Sequence, residues 1–145
     1  MKYRRRKRTT QKTAELDKTQ FIDKRLIDKA SLWILRILLD LGGHRELIDK
    51  DNYVSKDNIL AFLGGNKFLS DSDEDKFSRG DVLAFFEKNL LKLQKQKKFK
   101  SNRVLSKNIA QISLLMNLNK YEEQILEFVT LIKKYELLDD AVSLL

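Results

Sequence analysis

The fold is decided by residues 23–43, which read DKRLIDKASLWILRILLDLGG. From Leu26 to Leu41, apolar side chains recur at the three- and four-residue spacing of one face of an α-helix. A second set of leucines covers much of the opposite face, so the segment is apolar nearly all round. The pattern predicts a central, buried helix over about 23–41, stopped by Gly42-Gly43.

The rest of the chain predicts more helices. The 145 residues contain no proline, the residue that most often interrupts helices, and helical periodicity dominates. The further predicted helices are 56–63 with Ser55 as N-cap, 79–99, 105–116, one that begins at Asn119 with a capping box to Glu122, and 137–145. The predicted fold class is therefore all-α, an irregular bundle of five or six helices around the helix that contains Trp33.

The predicted domain organisation has two parts. Residues 1–20 are predicted to be a disordered basic arm, and residues 21–145 a single helical domain. The last amphipathic segment runs to Leu145 without a cap or a polar tail. That ending is typical of the N-terminal fragment of a longer chain.

Composition argues against most catalytic and metal chemistries. The absence of cysteine excludes thiolate zinc sites and cysteine nucleophiles, and the single histidine, His44, has no carboxylate pair at ligand spacing. The aspartates from Asp71 to Asp75 resemble the start of a calcium loop, but Lys76 and Val82 stand where such a loop needs glycine and glutamate. No glycine pattern fits a phosphate-binding loop. We therefore expect no enzyme activity, cofactor or metal in this chain.

Hydropathy predicts a cytoplasmic protein without membrane insertion. The basic start is not followed by an apolar signal region, and the most apolar stretch, 32–41, has ten residues where a span needs about 20.

Positive charge is concentrated in two blocks. The chain has 29 Lys and Arg against 21 Asp and Glu, a net charge of +8. Residues 1–12 hold seven basic residues without an acid, and 92–107 hold seven more. Such blocks are typical of nucleic-acid contacts or simply of solvated surface, and the arm also fits an acidic membrane surface or a localisation signal. The sequence leaves these interpretations open.

A nucleic-acid interface is the functional interpretation of these blocks. Phe99 lies among the lysines as a potential base-stacking platform, and Lys95, Lys98 and Asn102 would form one ridge if the helix continued that far. The candidate contacts are Arg4, Arg5, Arg6, Arg8, Lys95, Lys97, Lys98, Phe99, Lys100 and Arg103.

The two helices over 109–132 do not fit a DNA-reading helix-turn-helix. The second helix carries Glu122, Glu123 and Glu127 before its first later lysine, Lys133. Those carboxylates would be repelled by the phosphate backbone. The helix pair is predicted to be packing structure.

The last forty residues resemble a known family. The similarity is carried by VLSKNI at 104–109, LLMNL at 114–118, EEQILEFV at 122–129 and LLDDA at 137–141. These segments resemble the helical region ahead of the ATPase module in a group of bacterial AAA+ ATPases. The resemblance covers about 105–145, and Asn117 stands where that pattern has glycine.

The resemblance implies a non-catalytic N-terminal domain that binds a protein substrate or adaptor. Its other implied partner is the protein's own ATPase module, downstream of Leu145, which would bind ATP and magnesium and assemble as a hexamer only in the full-length protein. No catalytic residue carries over, because the Walker motifs are absent here. The alternative function is a nucleic-acid-binding helical module that uses the arm and the Lys92–Lys107 block.

Overall fold

The computed structural model describes residues 17–69 and 77–145, and within them the fold is all-α. The helices are α1 Ile27–Leu39, α2 His44–Leu47, α3 Asp57–Phe62, α4 Arg79–Gln94, α5 Arg103–Met116, α6 Lys120–Lys134 and α7 Glu136–Val142. Short 3-10 turns occur at Lys18–Gln20, Lys24–Leu26 and Asn66–Phe68. Over the same residues, β pairing is limited to an isolated bridge between Ile48 and Val54. The predicted fold class is confirmed.

Helix α1 is the centre of the bundle. It packs against α2, α4 and α7, and its Ile34, Leu35 and Leu38 have no solvent exposure. Phe62 of α3 and Phe86 of α4 are equally buried. The prediction of a central helix that is apolar on both faces is confirmed.

Two Gly-Gly pairs end helices, as their sequence predicts. Gly42 and Gly64 have φ values of +83° and +86°, which side chains with a Cβ rarely adopt. The amide of Gly43 donates to the Ile37 carbonyl and that of Gly65 to the Leu60 carbonyl. Each pair thus closes the preceding helix and starts a short helical turn.

Several predicted boundaries differ from the structure; α1, predicted over 23–41, spans Ile27–Leu39. Ser55 is not the N-cap of α3, because its hydroxyl donates to the Glu46 carbonyl at 2.7 Å and Lys56 takes the cap position. Helix α4 ends at Gln94, five residues before the predicted end at 99. Residues 17–20, assigned to the arm from sequence, include a helical turn capped by the Asp17 carboxylate.

The connection between α5 and α6 has the turn and the capping box that its sequence predicts. Asn117 adopts the left-handed conformation, with φ 52° and ψ 47°. Asparagine tolerates this conformation, which glycine usually takes at the end of a helix. The Asn119 side chain accepts from the amides of Tyr121 and Glu122, and the Glu122 carboxylate accepts from the Asn119 amide. The predicted capping box is confirmed.

Some predictions lie outside the described residues. They are the basic arm over 1–16, which contains Arg4, Arg5, Arg6 and Arg8, and the acidic segment 70–75. Among the helices of 17–69 and 77–145, none combines the length and the apolar character needed to cross a bilayer.

Candidate functional site

Helices α5 and α6 form an antiparallel hairpin that is attached to the core at one end. Phe128 of α6 packs edge-on against Trp33 of α1, with ring centroids 4.9 Å apart. The Lys29 ammonium donates to both carboxylate oxygens of Glu127 at 2.7 Å. These contacts hold the C-terminal half of α6 against α1, and Leu131 is buried beside them.

Burial falls along α5 as it leaves the core. The predicted apolar face begins with Leu105, which packs against the core, and Ile109, which is only 8% exposed. The same face continues with Ile112, 40% exposed, and Met116, 68% exposed. The face is therefore continuous in sequence but covered only at its base.

Helix α6 shows the same gradient in the opposite direction. Tyr121 near its start is 77% exposed and Ile125 is 61% exposed, whereas Leu131 is 2% exposed. Leu114 and Leu115, just before the turn, are the most exposed large apolar side chains in the described part of the chain. Within the described part of the chain no other element covers the end of the hairpin, which is thus an exposed apolar surface.

We call this surface the hairpin tip and define it by the exposed apolar side chains of α5 and α6 around the turn. Eight of the twelve large apolar side chains that are exposed within the described ranges lie on these two helices. The tip comprises Ile112, Leu114, Leu115, Met116, Tyr121 and Ile125. Concentrated apolar exposure of this kind marks interaction surfaces, whereas single exposed leucines are ordinary.

The carboxylates of α6 have structural roles. Glu122 closes the capping box, Glu123 accepts a hydrogen bond from the Ser113 hydroxyl of α5, and Glu127 pairs with Lys29. Ser113 is buried between the two helices. These contacts fix the hairpin geometry and agree with the interpretation of the helix pair as packing structure.

The predicted basic block lies at the end of α4, in the connection to α5 and in the first turns of α5. Lys95 caps α4, and Lys97 and Lys98 are exposed in the connection. Because α4 ends at Gln94, the ridge of Lys95, Lys98 and Asn102 that a longer helix would form is absent, and Asn102 is instead the N-cap of α5.

Phe99 is only in part available for base stacking. Its ring is half-buried and packs against the hydrophobic core, so the connection is anchored there.

Lys100 and Arg103 line a cleft together with Lys24 and Arg25, which the sequence did not single out. The cleft has a volume of about 1000 Å³ and is also lined by Ile27, Asp28, Ser101 and Ser106. We call it the α1–α5 cleft. Lys24 and Arg25 precede α1, so residues about 80 positions apart in sequence meet only in the fold.

The two walls of the α1–α5 cleft are joined by their capping residues. Asp23 accepts from the Arg25 amide and caps the turn that leads into α1, and Asn102 accepts from the amides of Val104 and Leu105 at the start of α5. The Asn102 side-chain amide donates to the Asp23 carboxylate at 3.3 Å. The relative position of the basic side chains is thereby constrained.

The single histidine has a structural contact. His44 Nδ1 lies 2.7 Å from the carbonyl oxygen of Leu38, where it covers the end of α1. Over residues 17–69 and 77–145, no cluster of three His, Cys, Asp or Glu side chains is arranged to hold a metal ion.

No protein-family model, curated protein or solved structure matches this chain. The similarity of 105–145 to the segment ahead of AAA+ ATPase modules therefore stays a prediction. Helices α5, α6 and α7 are the elements that this segment forms.

Proposed function

We propose that this chain is a non-catalytic recruitment domain of an AAA+ ATPase, and that the hairpin tip binds a protein substrate or adaptor. The observation that carries the proposal is the exposure of the tip: Leu114 and Leu115 are 86% and 84% exposed on a hairpin whose base is firmly packed. An apolar surface on a rigid support loses little conformational freedom when a partner covers it.

The chemistry of the tip favours a protein partner. Leucine, methionine and tyrosine side chains supply nonpolar area, and Met and Tyr are enriched at protein interfaces. Lys120 and Glu122 lie beside this area and provide the polar edge that such interfaces have. A helical hairpin that presents apolar side chains also fits a groove or a helix of a partner.

The link to an AAA+ ATPase rests on the resemblance of 105–145. Under the proposal, α7 leads into a nucleotide-binding module that hydrolyses ATP in a hexamer, while this domain selects what the module acts on. The first test is the gene itself. We expect the codons after Leu145 to encode a Walker A motif, G-x-x-x-x-G-K-[ST], followed by acidic Walker B residues. A stop codon at that point, or a downstream domain without these motifs, would refute the ATPase part of the proposal.

The second test addresses the hairpin tip directly. A photo-crosslinking amino acid is placed at Leu115 in the full-length protein, and products formed in cells are identified by mass spectrometry. The matched control places the same residue at Tyr53, which is 70% exposed but lies outside the hairpin. We expect discrete protein adducts from position 115 that are absent from position 53.

A charge substitution completes this test. Leu115→Glu places a carboxylate in the tip without removing a buried side chain, so the fold should be kept while the adducts from a probe at the neighbouring Leu114 disappear. Tyr53→Glu, the control, should leave those adducts unchanged. Equal adducts from positions 115 and 53, or adducts that persist in Leu115→Glu, would refute docking through the tip.

A further inference from the structure

Three neighbouring clefts lie in a row, each sharing lining residues with the next. The α1–α5 cleft shares Asp28 with a second cleft between α1 and α4, and the second shares Asn89 and Lys92 with a third along α4. The second cleft is also lined by Lys18, and the third by Lys88 and Lys95. We call this line of three clefts the basic track.

The basic track is strongly positive. It is lined by eight basic side chains and two carboxylates, those of Asp28 and Glu87. The basic residues are Lys18, Lys24, Arg25, Lys88, Lys92, Lys95, Lys100 and Arg103. Seven of these eight side chains are exposed, Lys18 being half-buried over the Phe62 ring.

The basic side chains of the track have no ion-pair partners within the described part of the chain. None of the eight basic side chains is in an ion pair with another described residue, whereas Lys29 and Lys56, outside the track, have carboxylate partners. Lys88, Lys92 and Lys95 also follow one face of α4 at helical spacing, over about 10 Å. A row of cations without ion-pair partners among the described residues, set along neighbouring clefts, is complementary to a linear polyanion.

From this arrangement we infer that the basic track binds the sugar–phosphate backbone of single-stranded nucleic acid. A flexible single strand can bend to follow these clefts from the start of α5 to the middle of α4, whereas a rigid duplex or a flat anionic membrane cannot follow them over their whole length. The inference does not depend on docking by the hairpin tip, because that tip contributes no residue to the track.

The track is expected to bind the phosphate groups of the strand and to distinguish little between its bases. Its linings contain no aromatic side chain, and Phe99, in the neighbouring connection, packs against the core. Binding should therefore depend steeply on salt, with a slope of about −0.7 for each phosphate contact on a single strand. Oligo(dT) and oligo(dA) should bind with similar affinity.

The test is fluorescence anisotropy of labelled oligo(dT) with the full chain at about 50 and about 200 mM salt. In every protein the seven basic residues of 1–12 are changed to glutamine, so that the arm contributes no side-chain charge to the measured affinity; they are Lys2, Arg4, Arg5, Arg6, Lys7, Arg8 and Lys12. The track variant is Lys88→Glu/Lys92→Glu/Lys95→Glu. The charge-matched control is Lys107→Glu/Lys120→Glu/Lys133→Glu, three exposed lysines that line none of these clefts.

We expect the track variant to lose affinity about tenfold or more and to reduce the salt slope by about 2, since three phosphate contacts are lost. The control should change both much less. The pair Lys24→Glu/Arg25→Glu should weaken binding as well, which would show that the strand extends into the α1–α5 cleft. If a glutamate variant unfolds, as judged by circular dichroism, the corresponding glutamine variant replaces it.

Four outcomes would overturn the inference. One is equal weakening by the track and control variants, which indicates diffuse attraction by net charge. Another is tighter binding of duplex DNA than of oligo(dT). The third is retention by anionic phosphatidylserine vesicles that competes with oligo(dT) and is lost in the track variant, which would assign the track to a membrane surface. Absence of oligo(dT) binding at the lower salt concentration refutes it outright.

Discussion

The bundle core and the hairpin tip use the same kinds of side chain with opposite results. In α1, apolar residues at helical spacing are buried on nearly every side, because α2, α4 and α7 surround the helix. In α5, an equally regular apolar face becomes exposed after Ile109, because the hairpin extends past the elements that could cover it. Periodicity therefore specifies that a face exists, and neighbouring elements determine whether that face stabilises the fold or is left for a partner.

This comparison predicts that truncating a buried side chain of the core lowers the free energy of unfolding far more than truncating a side chain of the hairpin tip. Phe86 of α4 has no solvent exposure, and its ring packs against Phe85 and the core. Phe86→Ala should lower the free energy of unfolding by about 3–5 kcal/mol, because it removes a large buried ring and leaves a cavity. Urea unfolding followed by circular dichroism measures the change. A loss below about 1 kcal/mol would mean that α4 does not pack as described.

Close packing in the core also makes it sensitive to an added methyl group. A Cβ at Gly65 would lie 2.6 Å from Leu60 Cδ1 and 3.1 Å from the Leu60 carbonyl oxygen. Gly65→Ala should therefore cost about 1–3 kcal/mol through overpacking. Gly80→Ala is the matched control, since its Cβ would meet only Ser78 Oγ at 3.5 Å near the start of α4. That variant should be neutral or gain up to about 1 kcal/mol, and a loss equal to that of Gly65→Ala would contradict the packing argument.

A polar contact at the edge of the core should make stability depend on pH. The Asp140 carboxylate of α7 accepts from Lys56 Nζ at 2.6 Å and from Asn58 Nδ2 at 2.7 Å. Burial raises the pKa of Asp140, but these two hydrogen bonds and the Lys56 charge outweigh it and lower the pKa below the ordinary 3.8. The ionised carboxylate thus stabilises the fold fully above the unfolded-state pKa, and the contribution is lost as the pH falls through the lowered folded-state pKa.

Asp140→Asn should accordingly lower the free energy of unfolding at pH 7. The decrease should be smaller than the one caused by Gly65→Ala. The difference between parent and variant should shrink as the pH is lowered from about 5 to below the folded-state pKa, measured from urea midpoints. Asp139→Asn, at an exposed neighbouring carboxylate, is the control and should show a smaller pH dependence. A difference between Asp140→Asn and the parent that is independent of pH would show that the ionised form of Asp140 is not what stabilises α7 against α3.

The smallest effect on stability is expected at the hairpin tip. Leu115 is 84% exposed, so Leu115→Ala should change the free energy of unfolding by no more than about 0.5 kcal/mol. The same substitution at Leu38, which is fully buried, should cost about 2–5 kcal/mol and provides the contrast. A cost above about 1 kcal/mol for Leu115→Ala would mean that the tip is covered within the chain or by a second copy, and concentration-dependent unfolding would distinguish the two.

Local features of the structure were largely predictable. The central helix, both Gly-Gly stops and the Asn119–Glu122 capping box depend on side chains within a few residues of one another. The Ser78–Asp81 capping box of α4 was missed, although its Ser-x-x-Asp spacing is a usable signal. Its Asp81 carboxylate accepts from the Ser78 amide and hydroxyl, which lowers the pKa of Asp81.

The candidate sites were predictable only in part. The lysine-rich block around residue 95 is visible in the sequence, but its helix stops at Gln94 and the expected ridge does not form. Lys24 and Arg25 carry no local signal that connects them to Lys100 and Arg103, because a cleft between distant segments depends on how α1 and α5 are placed. The candidate contacts in the arm, Arg4 to Arg8, lie outside the described residues and remain predictions.

What the sequence determined by itself is which segments are helical, which of their faces are apolar, and the helix ends that glycine pairs or the Asn119 capping box set, because these signals act over one or two turns. The tertiary structure alone decided which apolar faces are covered and which basic residues meet. Trp33 packs against Phe128, and Lys24 lines the same cleft as Arg103, although these residues lie about 80 or more positions apart in sequence. Such contacts follow from the packing of whole helices, and the spacing of residues along any one helix does not contain them.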